Sequence, residues 1–175
     1  MKFIKILVIC FFVLSSCSSR LSDIDRFSRN NADKVVDSIF GDEIKGFNYL
    51  IFSVAEKDFI IIIEKSNSYE EYFYNDKIEY SKIIENKIIY KKEDVFFKKM
   101  FNKDIYNKEF ITFNSKFFNP SYEISSGNIT YFVFKNEKGH RFGEARLSFF
   151  IKPNPIEPDI YIFLTNEILK ANGLY

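Results

Sequence analysis

The chain is poor in the residues on which small exported proteins and metalloenzymes depend. Among 175 residues it has two cysteines, Cys10 and Cys17, and both fall in the first seventeen positions. The body from Ser18 onward has none. No disulfide can close within it, cysteine-rich zinc sites are excluded, and its stability has to come from a packed core. Tryptophan is absent and His140 is the single histidine, which excludes multi-histidine metal sites. The six glycines are scattered without phosphate-loop or dinucleotide spacing, and no serine carries the flanking glycines of a nucleophile elbow. Charge of one sign is missing too: 25 Lys and Arg face 24 Asp and Glu. A balanced chain lacks the electrostatic footprint of a nucleic-acid binder.

What is present begins with the leader. Lys2 and Lys5 precede an uncharged apolar run, Ile6–Leu14, and no acid occurs before Asp23. Nine helical residues span only about 14 Å, against roughly 30 Å of bilayer hydrocarbon, so a cleaved signal fits better than a spanning helix. The run ends in Leu14-Ser15-Ser16-Cys17: an aliphatic residue, two small residues, then cysteine.

That ending resembles the lipobox of bacterial lipoproteins. The resemblance covers the signal alone and is silent about the rest. It implies that the Cys17 thiol receives a diacylglycerol group, that a dedicated peptidase cuts between Ser16 and Cys17, and that fatty acyl chains such as palmitate hold the product on a membrane. Each buried methylene contributes about 0.8 kcal/mol, so two or three chains anchor stably where one does not. The alternative is an ordinary secretory signal cut near the same serines. If the source has two membranes, Ser18 after the cysteine is not the aspartate associated with inner-membrane retention in enteric lipoproteins, which leans towards the outer membrane.

The expected organisation is therefore a signal peptide over 1–16, a lipidated tether over 17–21 and one globular domain over 22–175. Removing 16 of 175 residues leaves 159, enough for a single good core. Without Lys2 and Lys5, 23 basic residues face 24 acidic ones, a net of −1. Arg20 and Arg26 stand where they could touch anionic headgroups. The 22 Phe and 11 Tyr, with long isoleucine runs, supply material for a dense interior, and an AT-rich genome would favour the same residues.

Periodicity predicts an α+β domain. Ser22 or Asp23 caps a first turn containing Ile24 and Phe27. Asn30 or Asn31 caps Ala32–Phe40, where Val35, Val36, Ile39 and Phe40 recur at helical spacing before Gly41. Either two short helices or one broken helix follows. Strands are expected over Asn48–Val54, Phe59–Glu64, Glu70–Tyr74, Ile78–Ile84 and Lys87–Lys91, spaced as an antiparallel meander. Ile60-Ile61-Ile62-Ile63 is apolar on both faces and reads as a central strand. A helix is expected over Asp94–Asn102, and a further strand over Glu109–Phe118. Ile129–Lys135 and Phe142–Lys152 form a hairpin around the turn formers 136–141. After Pro153, Pro155 and Pro158, Ile160–Leu164 reads as a strand and Thr165–Asn172 as a helix ended by Gly173. The fold class is thus an N-terminal helical segment packed on an antiparallel, partly meandering β-sheet, with one internal and one C-terminal helix.

Candidate chemistry is sparse. His140 has the chemistry of a general base that Glu144 or Glu137 would orient, but its place in a Gly139 turn suits an ordinary loop residue. Glu70, Glu71, Glu79, Glu123 and Glu144 supply carboxylates for glycoside hydrolysis, which needs a pair about 5–5.5 or 6.5–9.5 Å apart. Solvated sheet-face charge accounts for them equally. Tyr69, Tyr72, Tyr74 and Tyr80 with Phe73 form either a recognition patch or cross-strand core packing; strand alternation, which puts Tyr72 and Tyr74 on one face, favours the core. No cofactor is expected. The expected function is a membrane-anchored envelope protein that binds a protein or envelope component through a site the sequence does not identify. The competing readings are an envelope-polymer hydrolase using a Glu/Asp pair and a purely structural lipoprotein.

Overall fold

A computed structural model describes residues 23–105, 129–148 and 158–174. At its centre is a six-stranded sheet in the order β4-β3-β2-β1-β5-β6, antiparallel throughout. The strands are β1 (Asn48–Val54), β2 (Asp58–Glu64), β3 (Ser68–Asn75), β4 (Ile88–Lys91), β5 (Ile129–Lys135) and β6 (Arg141–Ser148). The first four form an antiparallel meander with one strand fewer than expected, β5–β6 form the expected hairpin, and the α+β class holds.

Both faces of the sheet are covered, which is why β2 reads as a continuous isoleucine run. On one face Ile51, Phe59, Ile61, Ile63, Tyr72 and Val133 meet helix α1 (Asp23–Phe40) through Ala32, Val35, Val36 and Ile39. The short helix α2 (Tyr80–Glu85) adds Ile83 to this layer. On the other face Leu50, Phe52, Ile60, Ile62, Phe132 and Phe134 meet α3 (Val95–Met100) and α4 (Pro158–Ala171). Aromatic rings fill this second layer: Tyr90 lies 4.1 Å from Phe97, and Phe97 stacks on Tyr69 at 5.3 Å. Tyr72 packs edge-on against Phe40 at 4.8 Å, so the strand tyrosines serve the core. Tyr80 is exposed.

Three expectations are corrected. The residues 23–40 form one helix, and Asn31 caps nothing: its side-chain amide donates to the Glu56 carbonyl at 3.0 Å. Ile78–Ile84 is not a strand. The amides of Lys82 and Ile83 donate to the Glu79 carbonyl, winding a helical turn that buries Ile83 beside Ile78 and Ile84. The apolar residues there suit one turn of helix as well as a strand, and packing against the α1 layer decides. Ile160–Leu164 is likewise helical, the first half of α4. Pro158 opens the helix, where its missing donor costs nothing, and Ile160, Leu164 and Ile168 form a buried row at i, i+4, i+8. Gly173 ends it as expected. With φ +67°, it donates to the Lys170 carbonyl while Leu174 donates to Leu169, the paired bonds of a Schellman motif. The expected strand over 109–118 and the turns at 119–120 and 125–128 lie outside the described residues.

Two turns set the ends of the sheet. The β1–β2 turn places Ala55 and Glu56 at φ +54° and +59°, a left-handed geometry costing roughly 1–2 kcal/mol per non-glycine residue. Helix α1 holds it there: Ser28 donates to the Glu56 carboxylate and Asn31 to its carbonyl. At the opposite end Asn136 organises the β5–β6 turn, its side-chain oxygen accepting from the amides of Lys138 and His140.

Candidate functional site

Cys17, the one expected attachment site, lies outside the described residues. So do Glu123 and Arg20. The other candidates are placed as follows.

His140 is exposed in the β5–β6 turn, with its backbone tied to Asn136. Glu144 is occupied elsewhere. Arg29 on α1 grips it through Nε at 2.6 Å and a terminal nitrogen at 2.5 Å, and the Tyr131 hydroxyl donates to it at 2.7 Å. One helical turn on, Asp33 receives Lys135 at 2.6 Å and also Arg141. Burial pushes the Asp33 carboxyl up, but these two cations outweigh it and hold the group below its ordinary value. Both oxygens of each acid are used in pinning α1 to the β5–β6 hairpin. This is a clamp rather than a reactive centre, and the hydrogen bonds that hold Glu144 come from Arg29 and Tyr131.

Glu70 and Glu71 are adjacent in sequence and so point to opposite faces of β3. Glu70 accepts from the Tyr72 hydroxyl at 2.6 Å and from Lys87 at 3.1 Å. Burial raises its pKa, and these donors more than reverse the effect. Glu71 is in the opposite situation. It is 3 % exposed on the α4 face, and burial together with the charge of Glu167 pushes it up to about 7. The Tyr90 hydroxyl donates to it at 3.1 Å and opposes the shift only in part. Glu167, 9 % exposed, is held by Lys170 at 2.6 Å. The structure therefore unites Glu71 and Glu167, a pair absent from the sequence reading. A signal for it exists: Glu167 falls three residues after Leu164, on the buried row of α4, where a carboxylate is out of place. Perturbed acids of this kind accompany catalysis, but α4 seals this pair from any polymer substrate.

The accessible apolar feature lies at the sheet edge. No described strand pairs with the outer side of β4, where Ile88 and Ile89 are exposed, Ile89 by 61 %. The following loop brings up Val95, 81 % exposed, and a shallow depression of about 590 Å³ runs between Ile89, Tyr90, Asp94, Val95 and Phe96. An unpaired edge with branched aliphatic side chains is a template for strand addition. Lys91 and Lys92 flank it, and Lys92 is committed to Glu64 at 2.8 Å. A second cleft, about 400 Å³, opens between Ile44, Phe47, Tyr49 and the Asn136–Gly139 turn and gathers no set of convergent acids.

Among the described residues no three His, Cys, Asp or Glu side chains are grouped to hold a metal, and no helix is long and apolar enough to cross a membrane. Comparison with protein-family models, curated proteins and solved structures finds no match to this chain.

Proposed function

We propose that the chain is a lipid-anchored protein of the bacterial cell envelope, held by acylated Cys17, that works by binding an extended segment of another protein along the β4 edge. In a source with two membranes its place is the outer membrane. The anchor is supported by Leu14-Ser15-Ser16-Cys17 at the end of an apolar leader. The binding role is carried by one observation: Ile88, Ile89 and Val95 stand exposed along a sheet edge that no described strand covers. Strand addition there would satisfy the unpaired backbone groups of β4 while burying these side chains. Hydrolysis of an envelope polymer is favoured only by the raised pKa of Glu71, and it would require α4 to lift away from the Glu71–Glu167 pair.

A photo-crosslinking residue at position 95, in protein expressed in its native membranes, tests the binding role. One discrete adduct is expected, falling at least tenfold when Ile89→Lys is added. The Lys ammonium would be desolvated by an incoming strand, while an exposed edge position tolerates it in the free protein. Absence of an adduct, or one indifferent to Ile89→Lys in protein with unchanged thermal unfolding, contradicts it.

A further inference from the structure

We propose that the end of the domain bearing the β1–β2 turn rests on the lipid surface, with Phe27 and Leu174 entering the headgroup region on either side of Lys57. The inference rests on the anchor at Cys17 and adds to it an orientation.

The first argument is reach. Six residue steps separate Cys17 from Asp23, where α1 begins, and fully extended they cover at most about 20 Å. The start of α1 is therefore tied close to the acyl chains. Its position in the fold is fixed by the hydrogen bonds from Ser28 and Asn31 to Glu56 in the β1–β2 turn. The end of α4 reaches the same turn from the other face of the sheet, the Asn172 amide donating to Asp58 at 3.4 Å. Asn75, at the end of β3, also donates to Asp58. The Asn136–His140 turn lies a strand length away, about 23 Å for seven residues. The short tether thus keeps the end bearing the β1–β2 turn near the membrane, and the composition of that end argues for its facing the lipid.

The second argument is composition. Phe27 is 59 % exposed on the first turns of α1, and Leu174 is 70 % exposed just beyond α4. Both are large apolar side chains at the tips of elements that converge on one turn. Among the described side chains around them Arg26, Lys57 and Lys77 are exposed, as are Asp76 and Glu79, and Asp23 and Asp25 stand on the first turn of α1. Glu56 and Asp58 are turned inward to Ser28, Asn75 and Asn172. Two large apolar tips at one end, with long Arg and Lys side chains beside them that can extend to the headgroups, suit contact with a lipid surface. The residue pattern and the anchor point to the same end, although nothing in the folding of the sheet requires them to agree.

The test uses the full mature protein, purified from membranes and reconstituted in vesicles of phosphatidylcholine and phosphatidylglycerol at three to one. Acylation leaves no free thiol, so Lys57→Cys, Leu174→Cys or Lys138→Cys introduces a single site for a nitroxide label. Spin-relaxation accessibility to oxygen and to a water-soluble nickel chelate is then measured. Labels at 57 and 174 should show an oxygen-to-nickel ratio several times that of the label at 138, and Phe27→Ser should lower it at 57. Equal, water-like ratios at all three sites, or a higher ratio at 138, overturn the orientation in protein whose mass shows acyl chains on Cys17. An unmodified mass removes the anchor and the orientation with it, so the two failures are told apart.

Discussion

Glu71→Gln should stabilise the domain at pH 8 by about 2–3 kcal/mol and leave its stability at pH 4 nearly unchanged. The wild-type carboxyl is buried beside Glu167, with its folded pKa raised to about 7, whereas in the unfolded chain it titrates in the ordinary range near 4.5. Between those values the folded state keeps a proton that the unfolded state has lost, so stability falls as pH rises. The contribution is fully present below about pH 4.5 and lost by the time pH passes 7. A separation of about 2.5 units corresponds to roughly 3 kcal/mol. Glutamine preserves an oxygen for the Tyr90 hydroxyl and removes the titration. Denaturant unfolding from pH 4 to 8 should therefore give a falling contribution from this site in the wild type and none in the variant. Parallel profiles would show that Glu71 is ionised in the folded protein at neutral pH. The groups facing it are Tyr90, Glu167 and Lys170, and none of them supplies the missing compensation.

Leu164→Ala should cost about 2–5 kcal/mol, the range for emptying a fully buried leucine site. Leu164 has no exposed surface and stands between Ile160 and Ile168 in the row that seats α4 on the sheet. The loss should also loosen the cover over Glu71. Water reaching that carboxyl would lower its pKa toward the ordinary range, so the fall in stability with pH should be smaller than in the wild type. A cost below about 1 kcal/mol would contradict the packing assigned to α4. A large cost with an unaltered pH profile would show that the seal over Glu71 does not depend on this helix.

How much could be read from residues alone varies with the kind of signal. The Ile60–Ile63 run, apolar on both faces, identified a central strand because only a strand covered on both sides buries every one of its residues. Alternation put Tyr72 and Tyr74 on one face, and both pack on the α1 layer. The four-residue spacing of Phe96 and Met100 made a helix legible there, which Asp94 caps by accepting from the amides of Phe96 and Phe97. Ile160–Leu164 misled because isoleucine, tyrosine and phenylalanine favour strands locally. The deciding facts were Pro158 at the first helical position and a row whose third member, Ile168, lay beyond the run. At Ile78–Ile84 seven residues are too few for periodicity to separate one helical turn from a short strand.

The chemistry was less legible than the fold. Glu71 and Glu167 are 96 positions apart, and only tertiary packing brings α4 over β3. The clamp of Arg29, Asp33, Lys135, Arg141 and Glu144 has the same character: each residue reads as surface charge, and the pairing exists only once α1 crosses the β5–β6 hairpin. The exposed β4 edge could not be read either, because exposure depends on where the sheet stops. The leader is the reverse case. Its meaning is chemical and local, so a short motif after an apolar run says more about Cys17 than the folded domain does.

That residue carries the central claim, and the mass of the mature amino-terminal peptide tests it most directly. The account predicts a chain beginning at Cys17, its sulfur carrying a diacylglyceryl group, in protein extracted from membranes. A mature chain beginning elsewhere, or a Cys17 of unmodified mass, would contradict it.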